Sequence, residues 1–83
     1  MPGAGEPWED LEYRELLGRF PLTGHAPSGP DATVLARRLD RTVGALVAQW
    51  DDARTYCLGR DSTVASDQLK SYLDQNNLCR GVA

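Results

Sequence analysis

The sequence contains few of the residues that build metal sites, disulfide frameworks or transmembrane helices. Its 83 residues include two cysteines and one histidine. Cys57 and Cys79 lack the CxxC spacing of zinc and redox motifs, and His25 has no cysteine near it in the chain. No apolar run approaches the roughly 18 residues that a membrane helix needs. We therefore expect no metal site, no cofactor and no contact with a membrane.

The two cysteines allow two interpretations. The favoured one is that Cys57 and Cys79 are half-buried apolar residues with free thiols, which indicates a reducing intracellular compartment, nuclear or cytoplasmic. The alternative is one disulfide bond that ties two helices together. The first residues lack a basic region followed by an apolar run, so we also expect no signal peptide.

No group of residues resembles a catalytic site. His25 lies in a stretch rich in glycine and proline, and nothing beside it resembles a nucleophile elbow. The glycines at positions 3 and 5 follow no strand, so they do not form a phosphate loop. The sequence therefore predicts a protein that is not an enzyme, with no catalytic residues and no small-molecule substrate.

Apolar residues recur at helical spacing in four segments, and no segment alternates in the manner of a strand, which predicts an all-α fold. The first segment runs from Trp8 to Pro21, the second opens at Pro30, the third is capped by Thr42 and stopped by Gly59, and the fourth starts at the polar residues 61–63. The four predicted apolar faces are Tyr13, Leu16, Leu17 and Phe20; Ala32, Leu35, Ala36 and Leu39; Leu46, Trp50, Ala53 and Cys57; and Ala65, Leu69, Tyr72 and Leu73.

The chain divides into three regions by composition and pattern. Residues 1–7, with two glycines and two prolines, are predicted to be a flexible arm. Residues 8–60 are predicted to form a core of three helices, and residues 61–83 a C-terminal helix with a frayed tail. Residues 21–30 hold three prolines and two glycines, and this loop is longer than the usual connection between bundled helices.

Several motifs of the core fall in a recognisable order: Trp8 with Glu12, then Leu35-Ala36-x-x-Leu39, Arg41-Thr42-x-x-Ala45-Leu46 and Gln49-Trp50. Over residues 8–56 this pattern resembles the Myb/SANT-like family, which implies a three-helix core with a helix-turn-helix. The sequence departs from the family pattern where Ala32 replaces the usual tryptophan of the second helix. Asp40 stands where a glycine is frequent.

The resemblance implies binding to DNA or to protein through the third helix. The base-reading positions, which carry Lys and Asn in DNA-binding members, are Val47, Ala48 and Asp51 here, and these side chains suit a phosphate-lined groove poorly. We therefore expect a protein-binding module of a transcription- or chromatin-related assembly, with DNA binding as the alternative. The candidate protein-binding residues are Val43, Val47, Ala48, Asp51 and Arg54, and the candidate contacts to a DNA backbone are Arg37, Arg38, Arg41, Arg54 and Arg60. Val43 and Val47 could instead seal the core of the domain itself.

A second resemblance covers residues 45–78. The later half of a death domain is similar to the following motifs: Leu46-Val47-x-x-Trp50, Thr63-Val64, Leu69, Tyr72-Leu73 and Asn77-Leu78. That family implies a six-helix adaptor that assembles by homotypic contacts between charged faces, here with Asp51, Asp52 and Arg54 as candidates.

Overall fold

The computed structural model describes residues 6–82. These residues form four α-helices and no strand, which confirms the predicted all-α class. The helices are α1 (Asp10–Arg19), α2 (Gly29–Leu39), α3 (Val43–Cys57) and α4 (Asp67–Gln75). The predicted flexible arm falls largely on residues 1–5, which lie outside the described residues.

Helices α1 and α3 form the centre of the bundle. Each of them contacts the three other helices, whereas α2 and α4 do not contact each other and lie on different sides of the central pair. The core is drawn from all four helices and from the connections between them: Trp8, Tyr13, Leu16, Leu17, Leu22, Leu35, Ala36, Leu46, Trp50, Ala53, Ala65, Leu69 and Leu73. The predicted apolar face of α3 is confirmed for its three central residues, because Leu46, Trp50 and Ala53 are buried.

Polar caps fix where α3 and α4 begin. The Thr42 hydroxyl accepts a hydrogen bond from the amide of Ala45 at 3.0 Å, as predicted for an N-cap. The start predicted for α4 at residues 61–63 is wrong, since Asp61 instead accepts a hydrogen bond from the Thr63 amide at 2.9 Å within a local turn. The cap of α4 is Ser66, which accepts from the Leu69 amide at 3.2 Å.

The turn between α2 and α3 depends on a left-handed residue. Asp40 has φ of 56° and ψ of 43°, and the amide of Arg41 after it donates to the carbonyl of Ala36 at 2.8 Å. Aspartate tolerates this conformation better than most residues other than glycine, because its short polar side chain can hydrogen-bond locally. The turn predicted from the sequence is therefore present with Asp40 in the position where the family often has glycine.

The long connection between α1 and α2 is packed against the core. Leu22 and Pro27 within it are buried, and the carbonyl of Phe20 at its start accepts a hydrogen bond from the Trp50 indole Nε1 at 2.9 Å. This bond ties the connection to the middle of α3 and fixes the rotation of that helix about its own axis.

The two cysteines form a disulfide bond, so the favoured expectation of two free thiols is wrong. Cys57 and Cys79 are joined across 22 residues, which links the last residue of α3 to the segment after α4. The distance between their Cα atoms is 4.8 Å, within the range that a disulfide requires. The expected reducing compartment was inferred from free thiols and loses that support. In the described part of the chain, no helix has both the length and the apolar character needed to span a membrane.

Candidate interaction surfaces

The predicted protein-binding residues lie along α3, on the sides that do not face the core. Val43, Ala48 and Asp51 are exposed, while Val47 and Arg54 are half-buried. We call these five residues the α3 surface. The exposed fraction of Val43 is 36%, so its side chain does not seal the core, whereas Val47 is partly enclosed.

The α3 surface is held outward by the buried side of the same helix. Trp50 is buried in the core, and its indole Nε1 donates a hydrogen bond to the Phe20 carbonyl, which orients this face of α3 toward the connection between α1 and α2. Because residues one and two positions away on a helix point in different directions, burial of position 50 leaves positions 48 and 51 exposed to solvent.

The α3 surface carries one carboxylate, Asp51, and one guanidinium, Arg54, and a second carboxylate, Asp52, follows Asp51 on the same helix. Asp51 is exposed and Asp52 is half-buried. Partial burial raises the pKa of Asp52, and the negative charge of Asp51 raises it further. A nucleic-acid backbone brought to α3 would therefore meet two carboxylates beside one arginine, which opposes the neutralisation of phosphates that DNA binding needs.

The five arginines predicted as DNA contacts differ in exposure and in the contacts that they make. Arg37 and Arg60 are exposed and Arg54 is half-buried. Arg38 is also exposed, but its Nε lies 2.6 Å from Oε2 of Glu15 on α1. A phosphate that approaches Arg38 would have to compete with this carboxylate.

Arg41 has a structural position that the sequence did not reveal. Its side chain is buried with 8% of the residue exposed. The guanidinium donates to both carboxylate oxygens of Glu12, from Nε at 2.8 Å and from Nη2 at 3.0 Å. It also donates to the carbonyls of Glu6 at 2.7 Å and Pro7 at 3.1 Å, and it lies 5.0 Å from the ring centroid of Trp8. Arg41 is therefore not available to a DNA phosphate.

The ion pair of Arg41 with Glu12 joins three parts of the chain. It connects the segment before α1, the first turn of α1 and the turn between α2 and α3. The hydrogen bond with Glu12 is the largest of the effects that raise the pKa of Arg41.

A groove that we did not predict lies between α1 and the end of α2. It has a volume of about 460 Å³ and is lined by Leu11 and Leu39 together with charged side chains of both helices. Leu11 is 67% exposed, more than any other large apolar residue that the structure describes. The sequence signal was that Leu11 is apolar but stands outside the face formed by Tyr13, Leu16 and Leu17.

Within residues 6–82, no three or more His, Cys, Asp or Glu side chains are arranged to hold a metal ion. His25 lies exposed in the connection between α1 and α2. Comparison of the chain with protein-family models, curated proteins and solved structures found no match.

Proposed function

We propose that this chain is a non-enzymatic protein-interaction module of Myb/SANT type that binds a protein partner of a transcription- or chromatin-related assembly through the α3 surface. The observation that carries the proposal is that this surface combines exposed apolar side chains with few charges, on the flank of the helix face that buries Trp50. An apolar patch with a few charges suits docking to a protein, where burial of the apolar groups stabilises the complex.

The arrangement of the first three helices supports the Myb/SANT resemblance. A tight turn at residues 40–42 separates α2 from the longer α3, and both tryptophans are buried. The four helices found in residues 6–82 agree less well with the six helices that the death-domain resemblance implies.

Direct DNA binding is the second candidate. The exposed positions of Arg37 and Arg60 favour it, since both guanidinium groups can reach a phosphate. Two observations oppose it. Arg41 is buried, and α3 carries two neighbouring carboxylates, Asp51 and Asp52, which repel phosphates.

Two matched variants test the protein-binding proposal. Val43→Asp places a charge on the α3 surface, and Val64→Asp places the same charge on a valine of nearly equal exposure outside it, 40% against 36%. Aspartate in the first turn of α3 is favourable for the helix dipole, so Val43→Asp should fold. We expect affinity capture from native extract to recover a protein with wild-type and Val64→Asp chains but not with Val43→Asp.

The DNA alternative is tested by mobility shift at several salt concentrations. We expect weak binding that Arg37→Ala and Arg60→Ala leave unchanged. Tight binding that falls steeply with salt, with a smaller salt slope in these two variants, would establish the DNA alternative and contradict the proposal.

A further inference from the structure

The groove between α1 and α2 is separate from the α3 surface, since its lining residues come from α1 and the end of α2. Leu11 and Leu39 supply its apolar part. Among large apolar side chains of the described residues, Leu11 is the most exposed at 67%, while Leu39 is half-buried at the edge of the core. A concave site with an exposed apolar side chain at its mouth is favourable for docking.

The charges around the groove are mainly negative. Glu9, Glu12, Glu15 and Asp40 line it, against one cation, Arg38. Glu12 is paired with the buried Arg41 and Glu15 with Arg38. Over the part of the chain that the structure describes, neither Glu9 nor Asp40 belongs to an ion pair. The negative charges of Glu9 and Asp40 are therefore not balanced by an ion pair in the described residues and can attract a positive charge, although the Glu9 side chain also takes part in the capping box of α1.

The walls of the groove determine the kind of backbone that can occupy it. The walls of the groove are helices, and residues 6–82 contain no strand edge along which an extended peptide could pair its backbone. A helix satisfies its own backbone and needs only side-chain contacts. Nucleic acid and anionic lipid are disfavoured by the acidic rim.

We propose that the α1–α2 groove is a second docking site, which takes an amphipathic basic helix of a partner protein. A large apolar side chain of that helix packs between Leu11 and Leu39, and lysines or arginines on its flanks lie against Glu9 and Asp40. Its lining residues are not those of the α3 surface, so this proposal does not depend on the function proposed for that surface.

A synthetic peptide of about 14 residues, with leucines at positions i, i+3, i+4 and i+7 and lysines elsewhere, is the probe. Its controls are the same peptide with glutamates in place of the lysines and a scrambled peptide of the same composition. Fluorescence anisotropy gives the Kd, and amide chemical shifts locate the site. We expect micromolar binding of the amphipathic basic peptide alone, with shifts at residues 9–15 and 38–40.

Leu11→Ser and Val34→Ser form a matched pair of variants, because both side chains are largely exposed, 67% and 60%, and only the first lines the groove. We expect Leu11→Ser to raise the Kd about tenfold or more, as loss of one buried leucine does, and Val34→Ser to leave it within about twofold. The double variant Glu9→Gln/Asp40→Asn should raise the Kd severalfold at low salt and less at high salt, because surface charges are screened. Asparagine also accepts the left-handed backbone at position 40.

Three results would overturn the proposal. They are equal binding of the scrambled peptide, chemical shifts located on the α3 surface, and equal weakening by Val34→Ser. Sedimentation of the chain without peptide tests the remaining occupant, a second copy. A dimer that Leu11→Ser dissociates would assign the groove to self-association instead of to a basic helix.

Discussion

Arg41 and Glu12 form a buried, two-point ion pair that joins the turn before α3 to the first turn of α1. Both carboxylate oxygens are engaged, at 2.8 Å and 3.0 Å, and the guanidinium also donates to the carbonyls of Glu6 and Pro7. Arg38 and Glu15 approach even more closely, at 2.6 Å, but the Arg38 side chain is 62% exposed. The shorter contact belongs to the exposed pair, so we expect burial and not contact distance to determine which ion pair contributes more to stability.

The buried pair is tested by Glu12→Gln. Removal of the negative charge leaves the Arg41 guanidinium buried without a counterion, which should lower the free energy of unfolding by about 3–5 kcal/mol. Urea unfolding followed by circular dichroism measures the change. The control is Arg38→Ala, which should cost less than about 1 kcal/mol because its ion pair is solvated. If Glu12→Gln and Arg38→Ala lowered the free energy of unfolding by similar amounts, burial would not determine how much each ion pair contributes to stability.

Trp50 contributes both packing and a hydrogen bond. Trp50→Ala should lower the free energy of unfolding by about 3–5 kcal/mol, because it empties the centre of the buried face of α3. Trp50→Phe keeps an aromatic ring but leaves the Phe20 carbonyl without its indole donor, which costs about 1–3 kcal/mol. Thermal unfolding measures both variants. A normal transition in Trp50→Ala would contradict the position of this side chain in the core.

The disulfide bond should stabilise the fold by constraining the unfolded chain. For a bridge that spans 22 residues, we expect dithiothreitol to lower the free energy of unfolding of the oxidised protein by about 3 kcal/mol. The double variant Cys57→Ala/Cys79→Ala should be less stable from the outset and insensitive to the reductant. Two reactive thiols in the denatured, air-oxidised wild-type protein would show that the bridge is not formed.

The pKa of Asp52 predicts a stability change that depends on pH. Its pKa in the fold is raised by partial burial and by the charge of Asp51, so the fold favours the protonated form. The favourable contribution is present below the unfolded pKa of about 3.9 and is lost as the pH rises through the folded value. Asp52→Asn should therefore raise the unfolding temperature at pH 7, with a gain of at most about 0.5 kcal/mol because the group is partly solvated.

The same measurement at low pH supplies the control for Asp52. The difference in unfolding temperature between wild type and Asp52→Asn should shrink as the pH falls to about 3. At that pH the aspartate at position 52 is largely protonated in the unfolded chain and carries as little charge as the asparagine. A lower unfolding temperature for Asp52→Asn at neutral pH would mean that the carboxylate makes a favourable contact that outweighs its desolvation.

Local sequence patterns were sufficient for the helices and for one cap. Leu46, Trp50 and Ala53 repeat at helical spacing, and their burial follows from that spacing. Thr42 caps α3 because a hydroxyl directly before an apolar helical run can accept an amide hydrogen bond. The start of α4 was misplaced because residues 61–63 and Ser66 are both polar and both compatible with a cap, and only packing of Ala65 and Leu69 distinguishes them.

The candidate sites depended more on tertiary contacts, which spacing does not encode. Arg41 was counted among surface arginines, since nothing adjacent in the chain shows that Glu12, 29 residues earlier, would bury it. Leu11 was missed because the groove exists only where α1 meets the end of α2. The disulfide requires two cysteines to meet after α4 has folded back along α3, and their separation in the sequence does not predict this.

The bridge between Cys57 and Cys79 also has a mechanical consequence. It closes the 22-residue span that contains α4 into a covalent ring, so tension applied at the two ends of the oxidised chain passes from α3 through the sulfur atoms. The backbone between the two cysteines bears none of the applied force, so α4 is not extended while the force unfolds the other three helices. Under reducing conditions the same force would extend the whole chain. The contour length gained on unfolding would then increase by the length of the segment between Cys57 and Cys79.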